Sequence, residues 1–299
     1  MLIVYAIGTL DAYNRERNRV KYAFNTWCYG SFPVWVPSYP LDEAIRRLAR
    51  IGYDGIEIGC AAPHAWPAYL SAERRKDIRK LLEGEGLAPV SLLPAPGGGP
   101  GFNAASPLPE ERAGTVAHYC EVVDLAADLG AKLVLYIAGW QVFGTRREEA
   151  WAHSLDALTK IARYAEGKGI TIAIEPTSAD SNLIETADDA LELMRATRQS
   201  NVKVMFDTYH ALYRNEVSSD YVHLMGSDLA HIHLAGKDRL APGDAGTAVD
   251  WQSVLQAAKD TGFAGHLTME IGFNTRSADP DAMARRALTY LKQLETELR

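Results

Sequence analysis

An α/β chain folded as one (β/α)8 barrel over residues 22–299 is what the sequence predicts, on three observations. Short β-branched or aromatic runs alternate with longer amphipathic stretches, eight such pairs can be counted, and they fill roughly 250 residues, the usual size of such a barrel. No break in composition suggests a second domain. An open doubly wound sheet is the competing architecture, but it would place a GxGxxG turn after its first strand, and none occurs.

In chain order, "MLIVYAIGTL" is apolar but lacks a basic lead and a cleavage site, and falls far short of the ~20 residues that cross a bilayer. "DAYNRERNRV" is polar, so residues 1–21 read as an N-terminal extension, disordered or the product of a mis-assigned start codon. "YAFNTW" is the first strand, and the helix "LDEAIRRLARIG" runs to Gly52, glycine being favoured just past a helix end. "GIEIGC" and the helix "SAERRKDIRKLLEGEG" form the second unit, and "PVSLLPA" is the third strand. The "PGGGPG" that follows at 96–101 lacks the Lys-Ser/Thr of a P-loop and reads as a flexible loop over the barrel mouth. "ERAGTVAHYCEVVDLAADLG", "REEAWAHSLDALTKIARYAEGKG" and "TADDALELMRATRQ" are helices around the strands "KLVLYIAG" and "ITIAIEPT". "VKVMFDT", "LAHIHLAG" and "GHLTMEIG" complete the eight strands.

A formal charge of −7 and a pI near 5.7 oppose binding to nucleic acid or anionic membranes, so neither is expected as a partner. Cys28, Cys60 and Cys120 match no CxxC pair and no even disulfide framework, which fits three buried thiols in a reducing cytoplasm.

Catalytic groups in such barrels come from the C-terminal strand ends. There strand five offers Glu175, strand six Asp207, strand seven His231 and His233, and strand eight Glu270. Residues two apart share a face of a strand. Glu175 goes with Ala173 and Thr171, Asp207 with Met205 and Lys203, and Glu270 with Thr268 and His266, so all three carboxylates point inward. Converging carboxylates repel and raise each other's proton affinity unless a positive charge lies between them. A divalent cation meets that need, and oxygen ligands with one imidazole suit Mn²⁺, with Mg²⁺ or Co²⁺ as alternatives, better than a structural zinc. The plain alternative for Glu175 and Glu270 is an ion pair with Lys203 or Arg239. For His233 it is a hydrogen-bonded core histidine. His231 reads as a structural residue one layer lower, Glu57 as a site-lining or structural acid, and His118, His153 and His223 as structural or surface groups. His210 is expected in the loop just past strand six, leaning over the mouth.

At these residues the sequence resembles the xylose isomerase-like TIM barrel superfamily of sugar phosphate isomerases and epimerases. It is similar within it to ketose 3-epimerases of the tagatose/psicose and fructoselysine type. The resemblance covers the chain from about Tyr22 to its end and rests on "GYDGIEI" (52–58), "EP" (175–176), "FDTYH" (206–210), "HIHLAGKDR" (231–239), "PGDAGTAVDW" (242–251) and "MEI" (269–271). It implies metal ligands at Glu175, Asp207, His233 and Glu270, with the two glutamates as the acid/base pair and His210 and Arg239 contacting substrate. The epimerases carry a further Glu where this chain has Ser181, and Asp180 is the residue that can take its place. "APHAWP" (62–67) is similar to the fructoselysine type, which implies a substrate other than a plain ketohexose. His64 is divided between substrate contact and turn packing, and Trp140, like Trp27 and Trp66, between a wall for a sugar ring and rim packing.

The chemistry so implied is removal of a proton beside a carbonyl through an enediolate, with return to the opposite face for epimerisation. The barrel subunit of a C-glycoside deglycosidase, which adds a second subunit type, is the alternative with the same metal site. Inosose dehydratases and hydroxypyruvate isomerases also use such a site, and abasic-site endonucleases need more histidines than this mouth offers. A non-catalytic sugar- or partner-binding barrel is the alternative from another class. The resemblance also implies a homo-oligomer.

Overall fold

The computed structural model describes residues 20–30, 37–95, 102–272 and 279–298. Residues 1–19 of the expected extension and the glycine-rich 96–101 segment lie outside the described residues. Eight parallel strands close into a barrel in sequence order: β1 Lys21–Asn25, β2 Gly55–Cys60, β3 Ala88–Pro94, β4 Leu133–Ile137, β5 Thr171–Glu175, β6 Val202–Asp207, β7 Leu229–Leu234 and β8 His266–Met269. Around them run α1 Leu41–Ile51, α2 Ala72–Glu85, α3 Pro109–Leu129, α4 Arg147–Glu166, α5 Ala187–Thr197, α6 Thr208–Tyr213, α7 Ser218–Met225, α8 Trp251–Asp260 and α9 Pro280–Glu297. Two short helices thus connect β6 to β7, where the periodicity predicts a single unit. No helix of the described residues is long and apolar enough to cross a membrane.

Alternation divides the core into two layers. Ile56, Ile58, Val134, Tyr136, Ile172, Ile174, Val204, Phe206, Ile232 and Leu267 face outward and pack with the helices in the main cluster. A smaller cluster, Trp27, Ala61, Leu93, Ala95, Leu133, Leu135, Ala173 and Met205, fills part of the lumen. Trp27 lies against Gly59, where an added Cβ would come within 2.4 Å of the indole.

Two irregularities in register set the heights of functional side chains. Between β2 and β3, Ile56 faces Pro89 and Glu57 faces Ser91, so Val90 is an extra residue. Between β6 and β7, Val204 faces Leu229 and Met205 faces His231, so Ala230 is extra. Such bulges re-aim the side chains that follow. Here they bring Ser91 level with Glu57 and His233 level with Asp207.

The thiols differ from expectation. Cys60, on the packed outer face of β2, is buried, whereas Cys28 and Cys120 are only half-buried.

Candidate active site at the ends of strands five to eight

Glu175 and Asp207 are the last residues of β5 and β6, His233 is the fifth residue of β7, and Glu270 follows β8 directly. All four are buried, and each offers a ligand atom within 4.8 Å of the others. His233 Nδ1 lies 3.5 Å from Glu175 Oε1 and 3.3 Å from Glu270 Oε2. Asp207 has a second duty: its Oδ1 accepts from the Tyr209 N–H at 2.8 Å and caps α6.

Arg239 enters the same cluster. Its Nη1 donates to Asp207 Oδ2 and, at 2.7 Å, to Glu270 Oε2, and its guanidinium lies 4.1 Å from the centre of the Tyr209 ring. The residues that deliver it, Asp238 and Arg239, have φ of 57° and 61°, a left-handed pair costing of order 1–3 kcal/mol per residue. The Arg239 carbonyl, accepting from Gly272 N–H at 3.0 Å, and Lys237 N–H, donating to Thr247 O at 2.8 Å, hold that turn. The ion-pair alternative is therefore realised for Glu270 through Arg239, while Lys203 pairs with Asp228 at 2.6 Å.

The environment separates the two glutamates. Burial, with the charges of Glu270 and Asp207 and against the pull of His233, pushes Glu175 up to about 7. Burial also works upward on Glu270, but Arg239 and His233 outweigh it and bring the group down to about 2. Asp207 is raised by burial against the opposing charge of Arg239. Burial opposes the charge on His233, yet Glu57 and Glu270 carry it well above the usual imidazole range.

Three carboxylates and an imidazole form a donor set suited to a hard divalent cation. The fit is supported by two buried atoms, His233 Nδ1 and Glu175 Oε1, that have no aligned hydrogen-bond partner although they face each other. Orphaned buried polar atoms cost about 1–3 kcal/mol each, and a cation between them would satisfy both while displacing the imidazole proton.

The other expected residues fall in three groups. His210 lies in helix α6 rather than in a loop, because the Asp207 cap starts the helix immediately after β6. It is buried, accepts from the Ala179 N–H at Nδ1 (3.2 Å), and lies 3.6 Å from Asp180 Oδ2 through Nε2. The backbone donor leaves the ring proton on Nε2, and burial pushes the group down to about 3, so the ring is a neutral donor. Asp180 is exposed beside it, while Ser181 donates to the Gly139 carbonyl at 2.6 Å and ties down the loop.

The contacts described for His64 and Trp140 are with other residues. His64 is buried with Nε2 2.9 Å from the Tyr39 carbonyl, a turn-packing contact, while its Nδ1 meets no hydrogen-bond partner among the described residues. Trp140 is half-buried after β4, its backbone held at both N and O by the Asn103 side chain. His118 stacks between Trp66 and Phe102 at 4.8 and 4.4 Å. His153 sits 3.8 Å from Glu149, and His223 is exposed on α7.

Glu57 has the largest set of partners that sequence reasoning left unassigned. It accepts from Asn25 Nδ2 and Ser91 Oγ, both at 2.6 Å, and approaches His233 Nε2 at 2.8 Å and His231 Nε2 at 3.1 Å. The imidazole contacts are ionic approaches rather than aligned hydrogen bonds. Inward parity of Asn25, Glu57 and Ser91 on consecutive strands was the available signal.

The model of the xylose isomerase-like TIM barrel family matches residues 45–294. The chain belongs to that family. It is similar to the fructoselysine 3-epimerase of Shigella flexneri, 25% identical over 274 residues that cover 90% of this chain and 98% of the relative. It is 27% identical to the D-psicose 3-epimerase of Ruminiclostridium cellulolyticum, over 80% of this chain and 81% of that one. Among solved structures it resembles the D-psicose 3-epimerase of Clostridium cellulolyticum with D-tagatose, with a TM-score of 0.77 at 22% identity over 92% and 99% of the two chains. That last likeness shows the barrel fold of this family member.

Proposed function

We propose that this protein is a divalent-metal-dependent sugar epimerase that inverts C3 of a ketose or ketose conjugate. The observation that carries the reading is the convergence of Glu175, Asp207, His233 and Glu270 at one level of the lumen. These four residues would hold the cation, Mn²⁺ in first place with Mg²⁺ or Co²⁺ as alternatives. Such a cation supplies Lewis-acid polarisation of the substrate carbonyl.

The remaining chemistry belongs to the chain. Epimerisation needs one group to take a proton from a carbon and another to return one to the opposite face. Glu175 and Glu270 come from strands three places apart in the ring, so they approach the lumen from different sides. A bound cation would lower the proton affinity of both. His210, with its proton fixed on Nε2, donates to a sugar hydroxyl, and Asp180 beside it accepts from one. Arg239 pairs with Asp207 and Glu270, two of the residues that would hold the cation, and with the cation there its guanidinium would be available to a substrate oxygen. The curated relatives, named for fructoselysine and D-psicose, support a ketose as the substrate class.

The test is proton exchange. The Mn²⁺-loaded protein is incubated in D₂O with ketoses, aldoses and glycosylated sugars while C–H signals are followed by NMR. Deuterium entering C3 of a ketose together with a new epimer is the expected result. Exchange without an epimer indicates the deglycosidase alternative, and no exchange with any sugar contradicts the epimerase reading.

A further inference from the structure

Glu57 is completely buried at the middle of β2, three strands around the ring from β7, and its side chain crosses the lumen to His233. Its position is locked from three strands. Asn25 faces it in register on β1 and donates to Oε1, and Ser91, brought level by the extra Val90, donates to Oε2, which His231 also approaches. Glu57, His231 and His233 also lie close enough together to form a second donor group, but it offers a single carboxylate, already bonded to Asn25 and Ser91. What it meets at His233 is the ring nitrogen facing away from Glu175 and Glu270.

We propose that Glu57 is the positioning residue of the metal centre: by accepting from Nε2–H of His233 it keeps the ring proton on Nε2 and leaves Nδ1 unprotonated and aimed at the cation. The inference rests on the metal-site reading above. A ring nitrogen that carries a proton cannot be a ligand, and a carboxylate on the far nitrogen of a ligand histidine sets its tautomer and orientation. The contact distances favour this arrangement, since Glu57 approaches Nε2 at 2.8 Å whereas the carboxylates on the Nδ1 side stand at 3.3 and 3.5 Å, and a small ring rotation would align the Glu57 contact as a hydrogen bond. Asn25 and Ser91 keep the carboxylate in place. His231, two residues before the ligand, occupies the other oxygen and leaves Oε1 to His233.

Two measurements test it. In the Mg²⁺-loaded wild-type protein, two-bond ¹H–¹⁵N spectra of the His233 ring, assigned with a His233→Gln variant, are expected to show a proton on Nε2 and none on Nδ1. A proton on Nδ1, or on both nitrogens, overturns the proposal without any need for a Glu57 variant to fold. Glu57→Gln keeps the volume and is expected to raise the Mn²⁺ dissociation constant by about 10–100-fold, read by electron paramagnetic resonance. His223→Gln, on the exposed face of α7, is expected to leave it near wild type. Glu57→Gln binding Mn²⁺ as tightly as wild type overturns the positioning role alone, whereas a wild-type protein that binds no divalent cation overturns the metal-site reading and this role with it.

Discussion

Strands β3 to β6 and strands β7, β8, β1 and β2 line the same lumen, yet they fill it with opposite chemistry. The first set contributes Leu93, Leu135, Ala173 and Met205, with Ser91 of β3 turned to the polar side through Glu57. The second contributes His231, His233, Thr268, Asn25 and Glu57, all essentially inaccessible. The catalytic candidates stand one layer above this division. Glu175 follows Ala173 on the apolar side, where burial dominates and its proton affinity climbs to about 7. Glu270 follows Thr268 on the polar side, where Arg239 and His233 overcome burial and hold it near 2. One barrel thus sets two chemically identical carboxylates apart by what lies beneath and beside them.

The largest effect is expected at Glu270. Glu270→Gln should lower turnover by about 10²–10⁴-fold while circular dichroism and thermal unfolding report an intact fold. Normal turnover would remove Glu270 from the proton-transfer pair. Next comes a direct exchange of character between the two halves. Leu135→Asp places an unpaired charge on the apolar side and should cost about 3–5 kcal/mol in urea unfolding. A cost below ~1 kcal/mol would mean that side is wetter than its packing indicates.

Arg239→Ala removes a charge-assisted contact, worth about 1.5–3 kcal/mol, so kcat/KM should fall roughly ten- to hundredfold. Cation affinity should rise at the same time, because the competitor for Asp207 and Glu270 is gone. A fall in both would assign Arg239 to holding the ligands in place. The smallest effect is on stability against pH. His266, at the foot of the polar half, is held near 4 by burial, with His231 and Lys21 acting the same way. Its unfolded value is about 6.5, so the unfolded chain binds more protons between these limits and stability declines as pH falls from about 6.5 to 4. For a partly exposed ring the loss is about 1–2 kcal/mol after screening. Urea unfolding of wild type and His266→Gln at pH 7.5 and 5 should show that part of the decline vanish in the variant.

The division of the lumen was partly visible in the sequence. Period-two alternation places Glu175, Asp207 and Glu270 inward without any tertiary information, since a strand has only two faces. Height is another matter. The extra Val90 and Ala230 shift the register, so no count of residues places Ser91 level with Glu57 or His233 level with Asp207. The reach of Arg239 into the carboxylates depends on two consecutive left-handed residues, a conformation that neither Asp238 nor Arg239 announces. Helix α6 was hidden because Asp207 reads as a strand end and is also a helix cap. His64 was left divided because an apolar loop histidine looks the same whether it meets a sugar or a carbonyl such as that of Tyr39.

The most direct measurement is an anomalous difference map from a crystal of the protein soaked in Mn²⁺, recorded at the manganese edge. A single peak enclosed by Glu175, Asp207, His233 and Glu270 is the predicted result. A peak between Glu57 and His231, or no peak in the lumen, would contradict the assignment of the metal centre and of the proton chemistry built on it.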